Sequence, residues 1–421
     1  MNVLIATVTC GAGHLQAAAA LEEAWRAFRP RDSVLRLDVL DFTPRLYRKG
    51  YIEGYVKLVE HAPELWGMIF DRTDKPARAR RMMRLRRTLA TLPTEKFTRE
   101  LKRFAPDAVL CTHYMPLEIM GRLKAKMKSV EAVSTPRSSR REEAPFGTQK
   151  SEAGAAIPHS ALRIPHSDDL QAASCNPPGA PFTVSVVTDF EAHALWMEPA
   201  VDLYCVAAEE TKARLVARGA ASENVLVTGI PIAAKFSAPV DAPATRKRLG
   251  LRDDLPVLLV LSGGFGMGPV RQILSELNKL ATAVQVVVVC GRNEELRREL
   301  AVLERRHPTH VLGFVTNMHE LMAAADLVLT KPGGLTSSEA LALGKPMLVL
   351  NPIPGQEAAN SDYLLEHGAA MKVSRTEDLP FRLEKLLGST KLAEMARAAQ
   401  TLGRSEAATM VCRGVAARVG G

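Results

Sequence analysis

Short, almost wholly apolar runs recur along this chain, each followed by a longer helical pattern, and this alternation narrows the fold more than any other feature. In the first half they predict strands at Val3–Cys10, Val34–Leu37, Ala108–Thr112, Thr183–Thr188, Leu203–Ala207 and Asn224–Val227. In the second half they predict strands at Val257–Ser262, Val284–Cys290, Thr309–Leu312, Leu327–Thr330, Met347–Leu350 and Ala370–Val373. A strand exposed on one face would alternate apolar with polar residues. Near-continuous Val, Ile and Leu suits parallel strands buried on both faces, with helices as the crossovers. A chain of 421 residues exceeds what one core usually supports, so two doubly wound α/β domains are expected.

The sequence divides accordingly into a first domain over 1–232, a linker over 233–255 and a second domain over 256–403. A terminal helical pattern over 404–421 could pack back across the cleft between them. Pro239, Pro243 and the short helix-like Ala244–Leu249 mark the linker. From about 133 to 181 the pattern breaks. This stretch is rich in Ser, Pro, Ala and Arg, cannot bury enough apolar surface to offset its ordering entropy, and reads as a disordered insertion. His159 and His166 lie inside it without ligands at fixed spacing, so no metal chemistry is assigned to them.

Composition excludes several classes. No apolar run approaches the roughly 20 residues of a membrane span. Met1-Asn2 leads straight into the first apolar run with no basic n-region, so a cytosolic protein is expected. The six cysteines are scattered and read as reduced core thiols. The net charge of +9 is concentrated: Ala77 to Phe104 holds ten Arg or Lys against two acids. That run suits either a solvated helix face or attraction to an anionic surface, and aromatics at 5% argue against nucleic acid.

Glycine turns follow three of the predicted strands. Gly11-Ala12-Gly13-His14 opens an alanine-rich helix and sets His14 in its first turn, facing the cleft. A neutral imidazole there suits a general base, because a helix N-terminus disfavours the cation; a histidine that merely caps or packs fits the same position. Ser262-Gly263-Gly264-Phe265-Gly266-Met267-Gly268 holds the matching place in the second domain, without a full dinucleotide fingerprint. Lys331-Pro332-Gly333-Gly334-Leu335-Thr336-Ser337-Ser338-Glu339 follows the strand at Leu327, and Gly355-Gln356-Glu357 with Asn360 follows the strand at Met347. Adjacent strand ends carrying helix N-termini suit a phosphorylated ligand. Glu339 fits either a capping box with Thr336 or a carboxylate that accepts the hydroxyls of a ribose.

Taken together these motifs, with Asp41-Phe42 through Trp66 and with Val187-Thr188-Asp189-Phe190, His193 and Trp196, resemble the GT-B glycosyltransferases. The resemblance is specifically to monogalactosyldiacylglycerol synthases and bacterial diacylglycerol glucosyltransferases. It covers nearly the whole chain outside 133–181. It implies a UDP-hexose donor held by the second domain, with Phe314 and Val315 against uracil, Glu339 on the ribose, and the turns at Gly264–Gly268 and Gly333–Thr336 around the diphosphate. Gln356, Glu357 and Asn360 would address the hexose, galactose or glucose. His14 beside Gly13 would deprotonate the acceptor, with Asp189 orienting it or the donor phosphate.

Diacylglycerol in the bilayer would be that acceptor, and the anomeric configuration would invert. Helix N-termini can neutralise the leaving diphosphate, and no Asp-x-Asp occurs, so no metal is expected. The implied location is peripheral on the inner face of the plasma membrane, with Leu58-Val59, Leu65–Phe70 and the basic run meeting an anionic lipid surface. From spacing alone, Trp66, Met68 and Phe70 fit a first-domain core equally well. The rival readings are UDP-GlcNAc-dependent transfer to another lipid-linked acceptor, and a UDP-sugar-binding regulator without turnover.

Overall fold

A computed structural model describes residues 1–9, 11–75, 94–134, 179–262, 269–350 and 352–420. The first domain builds β1 (Asn2–Thr7), α1 (Ala12–Phe28), β2 (Ser33–Asp38), α2 (Arg45–His61), α3 (Pro63–Thr73), α4 (Thr94–Phe104), β3 (Ala108–Cys111) and α5 (Tyr114–Ser134). It continues through β4 (Phe182–Val186), β5 (Leu203–Val206), α6 (Glu209–Ala217) and β6 (Val225–Val227). Next come α7 (Ala242–Arg248), β7 (Val257–Leu261), α8 (Val270–Leu277), β8 (Gln285–Val289), α9 (Glu294–Ala301), β9 (Thr309–Leu312) and α10 (Met318–Ala324). The chain closes with β10 (Leu327–Thr330), α11 (Gly334–Ala342), β11 (Met347–Leu350), α12 (Gln356–Glu366), β12 (Ala370–Val373), α13 (Leu379–Leu387), α14 (Lys391–Leu402) and α15 (Ala407–Val419).

Every strand expected from the apolar runs is present. They form two parallel six-stranded sheets, ordered β2-β1-β3-β4-β5-β6 and β12-β11-β10-β7-β8-β9. The register explains the continuous hydrophobicity. In β1, Leu4 and Ala6 face one layer of helices while Val3 and Ile5 face the other, and all four are fully buried. Along β7 the same alternation sends Val257 and Leu259 to one side and Leu258 and Val260 to the other. A period of two with apolar residues in both phases is what a sheet covered on both faces demands.

One expectation changes. The stretch after β6 is no loose connector: Ile230, Ile232, Phe236 and Leu251 enter a core cluster with Leu259, Val328 and Val349 of the second sheet. Arg246 also forks onto both carboxylate oxygens of Asp326 at 2.9 Å. The residues read as a linker therefore form part of the second domain's wall. In the stretch read as an insertion, α5 runs to Ser134, and residues 135–178 lie outside the described residues.

At the other end, α15 returns to the first domain. Val411, Cys412 and Val415 are buried with Val3, Ile5, Leu21 and Trp25 in one cluster. Gly414 permits the approach, since a β-carbon there would overlap the side chain of Leu226. Cys111, Cys205, Cys290 and Cys412 are all unpaired and buried.

Candidate active site

Both sheets point the carboxyl ends of their strands at one cleft, a cavity of about 680 Å³. Gly11 makes the first turn at φ +100°, a conformation glycine adopts at little cost, and α1 starts immediately behind it. His14 thereby lands half-buried in the first turn of α1, on the wall of the cavity. Its Nδ1 lies 3.0 Å from the Thr188 hydroxyl. The ring is held edge-on against His113, with centroids 4.8 Å apart, and Trp196 stands 6.4 Å away. Removal from water pushes the imidazole down to about 4, with a hydrogen bond to the Thr112 backbone acting the other way. A ring so placed is neutral at physiological pH.

Facing it from the second domain is the N-terminus of α11. Gly333 is its N-cap and offers no side chain, so the amides of the first turn point into the cleft without a side-chain acceptor. Gly13 lies within 3.8 Å of the Leu335 side chain, as measured from the position a β-carbon would take. Lys331, at the end of β10, is the one lysine or arginine lining the cavity among the described residues. A cation beside an uncapped helix N-terminus forms a strong anion site.

Sequence reasoning passed over His113, Thr188 and Lys331 as individual actors. Each follows the carboxyl end of a buried strand, and that position was the signal available.

The donor-side assignments separate into three groups. Gln356 and Glu357 line the cavity at the start of α12. The Gln356 side-chain oxygen accepts from the Trp66 indole N–H at 3.2 Å, and the Glu357 carboxylate accepts from the Ile353 amide at 2.8 Å. Burial raises the Glu357 carboxyl, with the Ile353 bond acting against it.

Glu339 sits deeper along α11. The capping-box reading fails, because α11 begins at Gly334 and Thr336 is already inside it. Burial pushes the Glu339 carboxyl up to about 8, offset in part by the charge of Lys235. Lys235 also donates to the Thr316 carbonyl at 2.6 Å, beside Val315. Phe314 is 62% exposed, with the Arg292 guanidinium 5.5 Å from its ring centre, while Val315 packs on the second-domain core. Gly264, Phe265, Gly266 and Gly268 fall outside the described residues.

Asn360 and Asp189 depart from their expected roles. Asn360 is fully buried, and its amide bonds across the domain junction: its oxygen accepts from the Phe190 amide at 2.8 Å and its nitrogen donates to Asp189 at 3.0 Å. It bridges the two domains. Asp189 accordingly bonds Asn360 and not His14. Burial pushes its carboxyl up to about 6, against the pull of the Asn360 bond. The group on the imidazole is the preceding residue, Thr188. Nor does His193 reach His14: its Nε2–H donates to the Phe70 carbonyl at 3.0 Å and its Nδ1 accepts from the Leu195 amide at 3.1 Å.

The apolar segment of α3 also divides. Trp66 and Phe70 face the cavity, and Gly355 gives way to Phe70, whose ring a β-carbon at that position would strike. Leu65, Met68 and Ile69 remain exposed at 46%, 51% and 39%. Neither a wholly buried nor a wholly exposed segment describes this helix. Among the described residues no helix is long and apolar enough to cross a membrane.

Two Rossmann-like domains facing one another across a single cleft define the GT-B class. Among solved structures, Acinetobacter baumannii MurG superposes with a TM-score of 0.54 at 15% identity, covering 98% of both chains. Anabaena HepE in complex with UDP does so with a TM-score of 0.53 at 14% identity, covering all of both. Residues 14–135 and 177–232 match the monogalactosyldiacylglycerol synthase family, and residues 257–411 match the glycosyltransferase family 28 C-terminal domain. Each half of the chain thus carries a glycosyltransferase match, the first over 14–135 and 177–232 and the second over 257–411.

Among curated relatives, the processive diacylglycerol β-glucosyltransferase of Bacillus pumilus is 40% identical over 49% of this chain and 54% of its own length. The Bacillus subtilis enzyme of the same name is 38% identical over 49% and 54%. The chain spans about half the length of the curated relatives it matches.

Proposed function

We propose that this protein transfers a hexose from a UDP-sugar to the 3-hydroxyl of 1,2-diacylglycerol with inversion, making a monoglycosyldiacylglycerol. The observation that carries the reading is a desolvated, neutral imidazole on one wall of the cavity opposite an uncapped helix N-terminus and a lysine on the other. His14 takes the proton of the lipid hydroxyl as its oxygen attacks C1. The C1–O bond to the donor breaks on the opposite face, and its electron pair leaves with UDP. Lys331 and the first amides of α11 receive the charge that builds on the diphosphate, which is why we read the transfer as independent of metal.

The Glu339 carboxyl, raised by burial and with no hydrogen bond or ion pair to its side chain among the described residues, suits two ribose hydroxyls. Gln356 and Glu357 lie where the hexose would sit, and the names of the relatives favour glucose. The exposed side chains of α3 and the exposed basic side chains of α4 are the groups we assign to an anionic bilayer on the inner leaflet, while Arg78, Arg80, Arg81, Arg84, Arg86 and Arg87 lie outside the described residues.

The test incubates the protein with UDP-glucose or UDP-galactose and diacylglycerol vesicles, then analyses the lipid by mass spectrometry and proton NMR. A single β-linked hexose on the glycerol is the expected product, at the same rate with and without EDTA. UDP-sugar binding with no product from either donor would leave a non-catalytic binding protein instead.

A further inference from the structure

A base that takes a proton through Nε2 must keep its own proton on Nδ1, and something must hold it there. A neighbouring carboxylate would do so, but Asp189 on the cavity wall bonds the Asn360 amide. What stands at Nδ1 among side chains is the Thr188 hydroxyl, 3.0 Å away and all but buried, while the Thr112 backbone also bonds the ring. A hydroxyl both donates and accepts, so it can receive Nδ1–H and leave the Nε2 lone pair for the substrate. Threonine is the suitable hydroxyl, because its branched β-carbon stiffens χ1 and keeps the oxygen in one place. The same residue touches the other domain: a β-carbon on Gly334, the first residue of α11, would overlap the Thr188 carbonyl oxygen. Its hydroxyl thus faces the base while its carbonyl faces the helix that receives the diphosphate.

The geometry points to Thr188 as the positioning residue of this site, which accepts Nδ1–H of His14, fixes the tautomer that leaves Nε2 free, and ties that orientation to the closed contact with α11. This rests on His14 acting as the base. In the proton transfer Nε2 gains the acceptor's proton, Nδ1–H stays on the Thr188 oxygen, and Thr188 itself neither gains nor loses one. An alternative with the Thr188 hydroxyl donating to Nδ1 would place the proton on Nε2 and disable the ring.

The test has two arms. Nitrogen-15 NMR of the imidazoles near pH 7.5, with the His14 signals assigned by difference from His14→Gln, should show Nδ1 protonated and Nε2 bare in the wild-type protein. Thr188→Val should move the signal toward the Nε2–H form, and Thr188→Ser should restore the wild-type spectrum. In transfer from UDP-glucose to diacylglycerol, Thr188→Val should lower kcat roughly 10- to 100-fold with UDP affinity unchanged, the scale of a misplaced catalytic group, and Thr188→Ser should recover most of it.

An Nε2–H ring in the wild type, or a Thr188→Val enzyme with wild-type kcat, overturns the assignment. The spectroscopic arm needs no turnover. A wild-type protein that shows the expected tautomer but makes no glycolipid would therefore defeat the proposed activity and leave the orienting role standing.

Discussion

As the proposed general base, His14 needs a free lone pair, and its proton affinity is set by its surroundings. Burial holds it down to about 4 against an ordinary value near 6.5. The rate assigned to this base should therefore stay flat as pH falls through 6.5 and drop only as pH approaches about 4, which a kcat profile from pH 4 to 8 would read. A break near 6.5 would contradict the desolvated ring. The linkage has the opposite sense for stability. Between pH 6.5 and about 4 the unfolded chain binds a proton the folded ring refuses, so His14 destabilises the fold progressively as pH falls across that window.

Glu339 works the other way. Its carboxyl is pushed up to about 8, so the folded protein holds a proton there that the unfolded chain releases above about 4.5, and its contribution to stability is lost as pH rises through 8. Ribose hydroxyls would favour the ionised form. Binding of UDP at pH 7 is thus expected to release up to one proton, measured by calorimetry in buffers of different ionisation enthalpy. Glu339→Gln should abolish that release.

Among the elements, α11 and α3 decide how closely the domains meet. Gly334 is buried against the Thr188 carbonyl, and no side chain fits between them. Alanine at this position suits the first turn of α11 by propensity, so Gly334→Ala should leave the second domain intact while wedging the cleft apart. The expected result is a kcat loss of roughly 100-fold or more with only a small change in melting temperature, the scale of misaligned reacting groups. Wild-type kcat would mean that the contact is not needed for turnover.

The segment Leu65–Phe70 teaches the complementary lesson. Its composition allows a core helix or a membrane wedge. Gly67 and Gly355 let α3 settle against the loop before α12, turning Trp66 and Phe70 inward, leaving Leu65 and Met68 outside and setting Ile69 at the rim of the cavity. No local pattern could announce that split, because the partner surface comes from nearly 290 positions further along the chain.

For the molecule as a whole, the two domains are locked by Asn360 on Asp189 and Phe190, by the Phe190–Tyr363 stack with ring centres 4.4 Å apart, and by the His367–Glu210 pair at 3.0 Å. These contacts run along α12, so the element that carries Gln356 and Glu357 is clamped to the first domain over its length. The exposed face of α3 lies on that closed body. Replacing Leu65 and Met68 together with serine should weaken binding to anionic vesicles by more than about 10-fold in a flotation assay, because each removes on the order of 1.5–3 kcal/mol of buriable apolar side chain. Unchanged flotation would relocate the lipid-binding face.

All the strands, their parallel arrangement, the turns at Gly11 and Gly333 and the placing of His14 at a helix start were legible in the sequence. Each is a local pattern: a run buried on both faces, a turn only glycine makes cheaply, a helix that begins at the next residue. What only the tertiary structure decided was who meets whom. Thr188 and not Asp189 stands at the imidazole, Asn360 bridges the two domains, and the supposed linker becomes a wall of the second core. The physical reason is that a polar side chain carries no mark of its partner. Its hydrogen bond is chosen by which buried group the packing of distant elements brings within about 3 Å, and that choice is made only when both sheets are in place.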